Sequence, residues 1–145
     1  MSAAFVAAIL LAGTLAGTPA PTPQAIVDHA RNLTVHSIDG TLASTEPLDA
    51  WLRARSRDGA VSWEANDCGE QTGDPATTPP DLPLCAQASF VNCAGEKSTL
   101  AIAVGTSRDG IGRATAAVFW ASTGKSSANT LAKFAAHNPA CVVPR

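Results

Sequence analysis

Apolar and polar residues alternate most clearly between Ala60 and Ala121, in four short runs separated by turn chemistry. The run Ala60-Val-Ser-Trp-Glu-Ala-Asn66 places Val61, Trp63 and Ala65 on one side and Ser62, Glu64 and Asn66 on the other, the period-two pattern of a half-buried strand. Ala86, Ala88 and Phe90 share a face in the second run. The third, Thr99 to Gly105, is apolar on both faces, as a central strand often is. In the fourth, Ala114, Ala116, Val118 and Trp120 stand against Thr115, Ala117, Phe119 and Ala121. Arg57-Asp-Gly59 and Ser107-Arg-Asp-Gly110 supply turns. Sequential strands joined this way pair as antiparallel neighbours, so the pattern predicts a four-stranded antiparallel sheet over about 60–67, 85–92, 98–106 and 112–121.

Helical spacing flanks the sheet. Thr22 stands as a cap before Pro23, opening a helix over about 23–33 with Ile26, Ala30 and Leu33 on one face. A second helix, about 46–55, carries Leu48, Trp51 and Leu52 as an apolar stripe opposite Asp49 and Arg53, with Thr45 as its expected cap. Between them the periodicity of 34–43, which contains the Asp39-Gly40 turn, fits either a small hairpin or a loop. A last helix over about 127–137 is expected to start at Ser126 or Ser127, bury Leu131, Phe134 and Ala135, and stop at Asn138-Pro139. The expected fold class is therefore α+β, with the helices mainly on one sheet face. Ala101, Ala103, Ala117, Phe119 and Val91 leave the other face apolar too, to be covered by the N-terminal helix and residues 34–43 or to serve as an interface.

At 145 residues the chain is sized for one domain, and Ala3 to Leu15 has the length and hydrophobicity of a signal-peptide core. We expect residues 1–20 to be removed, with the cut after Ala20 or after Ala16, leaving a single domain over 21–145. Met1-Ser2 brings no positive charge to this segment, so a buried N-terminal helix of a cytosolic protein is the competing reading. The apolar run is shorter than the roughly 20 residues a membrane span requires. Leu11-Ala-Gly-Thr14 carries Thr where a lipoprotein signal carries Cys, so no membrane anchor is expected. The net charge of −2 gives no electrostatic reason to bind nucleic acid. Tyrosine is absent, and the bias toward Ala and Arg reads as GC-rich bacterial coding.

Four cysteines, Cys68, Cys85, Cys93 and Cys141, allow three complete pairings. Cys85 and Cys93 bracket one strand and lie about 26 Å apart if it is extended at about 3.3 Å per residue, far beyond disulfide reach. Cys68 leaves the first strand where Cys85 enters the second, so these two face each other at the base of the hairpin. The expected bonds are Cys68–Cys85 and Cys93–Cys141, the first worth about 3 kcal/mol in the chain-entropy treatment. Such bonds persist outside the cytosol, which matches a periplasmic or secreted location.

Candidate chemistry is sparse. Ser122-Thr-Gly-Lys-Ser126 stands between a strand and a helix like a phosphate loop, but Phe119 occupies the place of the opening glycine, so it reads as a polar connection. Asp67-Cys-Gly69 has no histidine near in sequence to make a thiolate, and the disulfide reading takes that cysteine. His29, His36 and His137 are scattered and read as surface or helix-end residues. No C-x-x-C and no Cys–His spacing suits zinc, so no metal or other cofactor is expected. The segment from Asp67 to Asp81 is rich in Pro and Gly, acidic and free of Lys and Arg. Loops of this length in a compact domain are functional or disordered. Its carboxylates lack the calcium-loop spacing, and nothing sets the separation that a glycosidase pair requires. Glu70, Gln71, Asp74 and Asp81 are its candidate binding residues.

Trp63-Glu-Ala-Asn-Asp-Cys-Gly-Glu-Gln-Thr-Gly73, with Asp81-Leu-Pro-Leu-Cys85 and Ala103-Val-Gly-Thr106, resembles a pattern in uncharacterised exported proteins of Gram-negative bacteria. The resemblance covers the middle third of the chain and implies only that the hairpin and its stapled loop are the distinctive part. The leading expectation is a non-catalytic periplasmic or secreted binding protein, an inhibitor being one form, that presents the Cys68–Cys85 loop to a protein partner in the cell envelope or medium. A small exported hydrolase using carboxylates or a histidine is the alternative. A structural envelope protein, dimeric through the Phe119 face, is the third.

Overall fold

A computed structural model describes residues 22–67, 84–104 and 116–142. The expected signal segment, Cys68, the loop residues Glu70, Gln71, Asp74 and Asp81, and the start of the fourth predicted strand lie outside the described residues. The chain forms α1 (Pro23–Asn32), α2 (Val35–Ile38), α3 (Leu48–Arg53), β1 (Ser62–Asp67), β2 (Leu84–Val91), β3 (Lys97–Val104), β4 (Ala116–Thr123), β5 (Ser126–Ala128) and α4 (Leu131–His137). The architecture is α+β, with one antiparallel sheet in the order β1-β2-β3-β4-β5.

Helix α1 begins as its sequence dictates, with the Thr22 hydroxyl accepting the Ala25 N–H and Pro23 in the first turn. It buries Ile26, Val27 and Ala30. The ambiguous segment that follows is one helical turn, α2, capped by Thr34. The chain then runs back antiparallel, Val35 N–H donating to Glu46 O and His36 N–H to Ser44 O, both at 2.9 Å. That return path is why the second predicted helix starts late. Glu46 precedes a proline and is disfavoured from helical backbone, so Pro47 takes the cap position without a side-chain hydrogen bond and Thr45 caps nothing. The expected stripe of Leu48, Trp51 and Leu52 is buried.

The sheet differs from expectation in two places, and both lie in β4 and beyond. A bulge opposite Ala101 and Ile102 sets Trp120 against Ala101 and Val118 against Ile102, leaving Phe119 as the extra residue. A bulge shifts side-chain alternation by one. Val118 therefore shares a face with Ala121, and Trp120 leaves the face it would occupy in a regular strand. The second difference is β5. Ser122-Thr-Gly-Lys-Ser126 is a two-residue β-turn joining paired strands, Thr123 opposite Ser126, and not a strand-to-helix connection. Gly124 at φ +57° occupies the first turn position, the place where a two-residue hairpin loop calls for glycine. Helix α4 accordingly starts at Leu131, with Thr130 Oγ1 accepting the Lys133 N–H, and Ser126 and Ser127 belong to the strand.

One core lies between the sheet and the helices. Ala86, Ala88 and Phe90 of β2, Leu100, Ile102 and Val104 of β3, and Ala121 of β4 join Ile26, Val27 and Ala30 of α1, Leu48, Trp51 and Leu52 of α3, and Leu131 and Phe134 of α4. Phe90 and Phe134 meet edge to face with centroids 6.0 Å apart. At the end of this core sits a buried polar hub. Asn138, fully buried, accepts from Asn92 Nδ2 (3.0 Å) and Ser98 Oγ (2.6 Å) and donates to Thr123 Oγ1 (2.8 Å) and Phe134 O (2.9 Å). Asn92 Oδ1 in turn accepts the N–H groups of Ala94 and Glu96, which shapes the β2–β3 turn. Beside the hub, Cys93 is bonded to Cys141, as expected, closing a separation of 48 residues. A closure of that length is worth about 4 kcal/mol in the chain-entropy treatment. The Cys141 N–H also donates to Ala54 O, fastening the C-terminal segment to the end of α3.

Candidate functional site

Among the described residues two surfaces remain after the core is assigned: the end of the β1–β2 hairpin and the sheet face turned away from the helices. At the hairpin, the register runs from Ser62 opposite Ser89 to Asp67 opposite Leu84, so the strand ends that flank residues 68–83 in sequence stand side by side. Cys85 is fully buried and disulfide-bonded, while its expected partner Cys68 lies outside the described residues. Asn66, opposite Cys85, donates from Nδ2 to Gln87 Oε1 at 3.2 Å, and its Oδ1 is buried without a partner among the described residues.

Strand β1 is an edge strand, and a polar clamp ties it to two helices. The Asp49 carboxylate accepts from Trp63 Nε1 (2.8 Å) on β1, from Arg31 (3.0 Å) on α1 and from Arg53 (2.9 Å) on α3 itself. Desolvation of this carboxyl pushes its pKa up, but the hydrogen bonds from Arg53, Trp63 and Arg31 outweigh it and hold the pKa below the usual carboxylate value. The Asp49–Arg53 pair is visible in the sequence as an i,i+4 spacing. Trp63, which the sequence placed only on the apolar side of a strand, completes the clamp through the fold. Asp39 plays a comparable part elsewhere: its carboxylate accepts from the Thr41 hydroxyl and N–H and from the Ala132 N–H at the start of α4. The Thr41 hydroxyl is foremost among the bonds that lower its pKa.

The outer sheet face is ordered in rows by the strand register. Ser62, Ser89, Thr99, Ser122 and Ser127 are successive cross-strand neighbours, one from each of the five strands. Next to them run Glu64, Gln87, Ala101 and Trp120. Thr99 and Ala101 at the centre of this face are buried, Ala103 and Ala117 pair farther along, and Val91 is 42 % exposed. At the β4–β5 edge lies a groove of about 400 Å³ lined by Phe119, Trp120, Ser127, Ala128, Asn129 and Lys133, so that it joins the outer face at Trp120 and Ser127 and reaches α4 at Lys133. The other two tryptophans are committed, Trp63 to Asp49 and Trp51 beneath the Arg55 guanidinium at 4.0 Å.

The three histidines are not brought together: His29 is on α1, His36 on α2 with Nδ1 2.7 Å from Leu42 O, and His137 at the end of α4. Among the described residues no three His, Cys, Asp or Glu side chains are grouped to hold a metal ion. No described helix is long and apolar enough to cross a membrane. No protein family, curated protein or solved structure matches the chain.

Proposed function

We propose that this is a non-catalytic binding protein of the periplasm or the extracellular medium that presents the segment between Cys68 and Cys85 to a protein partner. The observation that carries the reading is the pairing of Asp67 with Leu84 beside the buried, bonded Cys85, which brings both ends of that segment to one sheet end. A binding loop gains affinity when its stems are held in advance, because less conformational freedom is lost on docking. The Asp49 clamp on Trp63 supports one stem, and the central strand β3 supports the other through its pairing with β2. The acidic side chains Glu70, Asp74 and Asp81, with Gln71, are the proposed contacts, which favours a partner surface of opposite charge. The Cys93–Cys141 bond agrees with a location outside the reducing cytosol.

The test is a pull-down from the envelope fraction and medium of the producing cell. The bait is the oxidised protein without residues 1–20, beside a version in which a short Gly-Ser linker replaces residues 70–83 and both Cys68 and Cys85 are kept. A partner held by the first and lost by the second is the expected result. Equal capture by both overturns the proposal.

A further inference from the structure

We infer a second binding site, for an extended neutral oligosaccharide, in the groove beside Trp120 and along the hydroxyl row that runs from it across the sheet. The bulge at Phe119 creates it, because a regular β4 would turn Trp120 toward the helices and not toward Ala101 on the outer face. Trp120 is half-buried, and its indole makes no hydrogen bond among the described residues, so a flat apolar ring and an unused N–H donor stand together at the groove. Asn129 and Lys133 line the same groove and likewise make no side-chain hydrogen bond or ion pair among the described residues.

Ser127, also in the groove, begins the row that continues through Ser122, Thr99 and Ser89 to Ser62. Adjacent members are about 4.8 Å apart, the spacing of neighbouring strands. Within the row Thr99 is buried and stands 3.5 Å from the Ser89 hydroxyl, while Ser62 and Ser127 are exposed and Ser122 half-buried, and the hydroxyls of these three have no partner among the described residues. Each hydroxyl both donates and accepts and rotates to suit what it meets, as the hydroxyls of a sugar do. Gln87 and Glu64 extend the polar set along the neighbouring row.

The chemistry selects against other ligands. A nucleic acid needs several cations along its phosphates, and among the described residues Lys133 is the single cation lining the groove. A lipid surface or an apolar protein face needs a dry patch, which a row of five hydroxyl residues is not. A chain of pyranose rings offers an apolar ring face for Trp120 and repeated hydroxyls for the row. The groove is lined from β4, β5 and α4, and its row meets β1 and β2 at Ser62 and Ser89, the ends away from Asp67 and Leu84, so the site does not depend on the loop reading.

The test is titration of the ¹⁵N-labelled, oxidised protein with cellohexaose, chitohexaose and mannohexaose, each to about 1 mM, where even weak binding registers. At least one is expected to shift the Trp120 indole resonance and the amides of Ser122, Ser127 and Asn129, leaving the Asp49-bonded Trp63 indole in place. Trp120→Ala is expected to weaken binding about tenfold, the loss of one aromatic contact. The double variant Ser122→Ala/Ser127→Ala, which keeps the ring and the fold, is expected to weaken it as well. The inference is overturned if no hexasaccharide moves the Trp120 resonance, if the hydroxyl variant binds unchanged, or if an acidic hexapeptide moves that resonance further than any sugar.

Discussion

Replacing Asn138 by alanine tests whether the buried hub holds the C-terminal segment, α4 and the β2–β3 turn to one another. The substitution removes four side-chain hydrogen bonds, to Asn92, Ser98, Thr123 and Phe134 O. The Ser98 and Thr123 hydroxyls retain each other at 3.2 Å. The Asn92 amide and the Phe134 carbonyl have no such fallback among the described side chains, and stranding a buried polar group costs about 1–3 kcal/mol. Two of them put the expected destabilisation at about 2–6 kcal/mol, a large share of the total for a domain of this size. The assay is urea unfolding followed by circular dichroism with the Cys93–Cys141 bond intact, in which the midpoint falls and the slope is unchanged. In an Asn92→Ala background the stranded amide is gone, so the Asn138→Ala penalty should shrink by about 1 kcal/mol or more. A loss below about 0.5 kcal/mol, the range of an ordinary surface substitution, or strictly additive effects of the two variants, would refute the hub as a coupled unit.

Two further outcomes follow from local geometry. Asp49 has a folded pKa below its unfolded value, so its contribution is present above the unfolded value and is lost as pH falls through the folded one. The stability advantage of the wild type over Asp49→Asn should therefore be full at neutral pH and shrink below about pH 4. An advantage that stays constant from neutral pH to about pH 2 counts against the clamp. Gly124→Ala places a β-carbon 2.7 Å from Glu96 Oε2 at φ +57°. The Glu96 side chain can swing away, but the backbone penalty of about 1–2 kcal/mol remains. Gly40, where an added β-carbon would meet nothing within 4 Å, is the control: Gly40→Ala should be neutral within about 0.5 kcal/mol by thermal unfolding.

Much of this architecture was legible from local pattern. The cap and first turn of α1, the stripe of Leu48, Trp51 and Leu52, the three strands from Ser62 to Val104 and the Cys93–Cys141 pairing all follow from period, capping chemistry and the reach of a disulfide. These are short-range constraints, each contained in a few neighbouring residues or in one distance limit. Their failures are also local in cause. Thr45 is a good cap residue whose helix could not begin before Pro47, and Ser126 is a good cap residue that pairs with Thr123 instead.

What only the tertiary structure decided is where side chains from distant segments converge. The period of β4 gives no sign of the bulge, because the extra residue, Phe119, shows only in how β4 pairs with β3, and it turns Trp120 outward and Ala121 inward. Asn138 reads in sequence as a helix stop, yet its amide is satisfied by residues 15 to 46 positions away as well as by its own helix. The hydroxyl row is invisible along the chain, since its five members come from five strands and become neighbours only through the register. Sequence period determines which way a residue points along its own element. Which residues then stand side by side is set by strand pairing and core packing, and the clamp, the hub and the outer face are all made of such meetings.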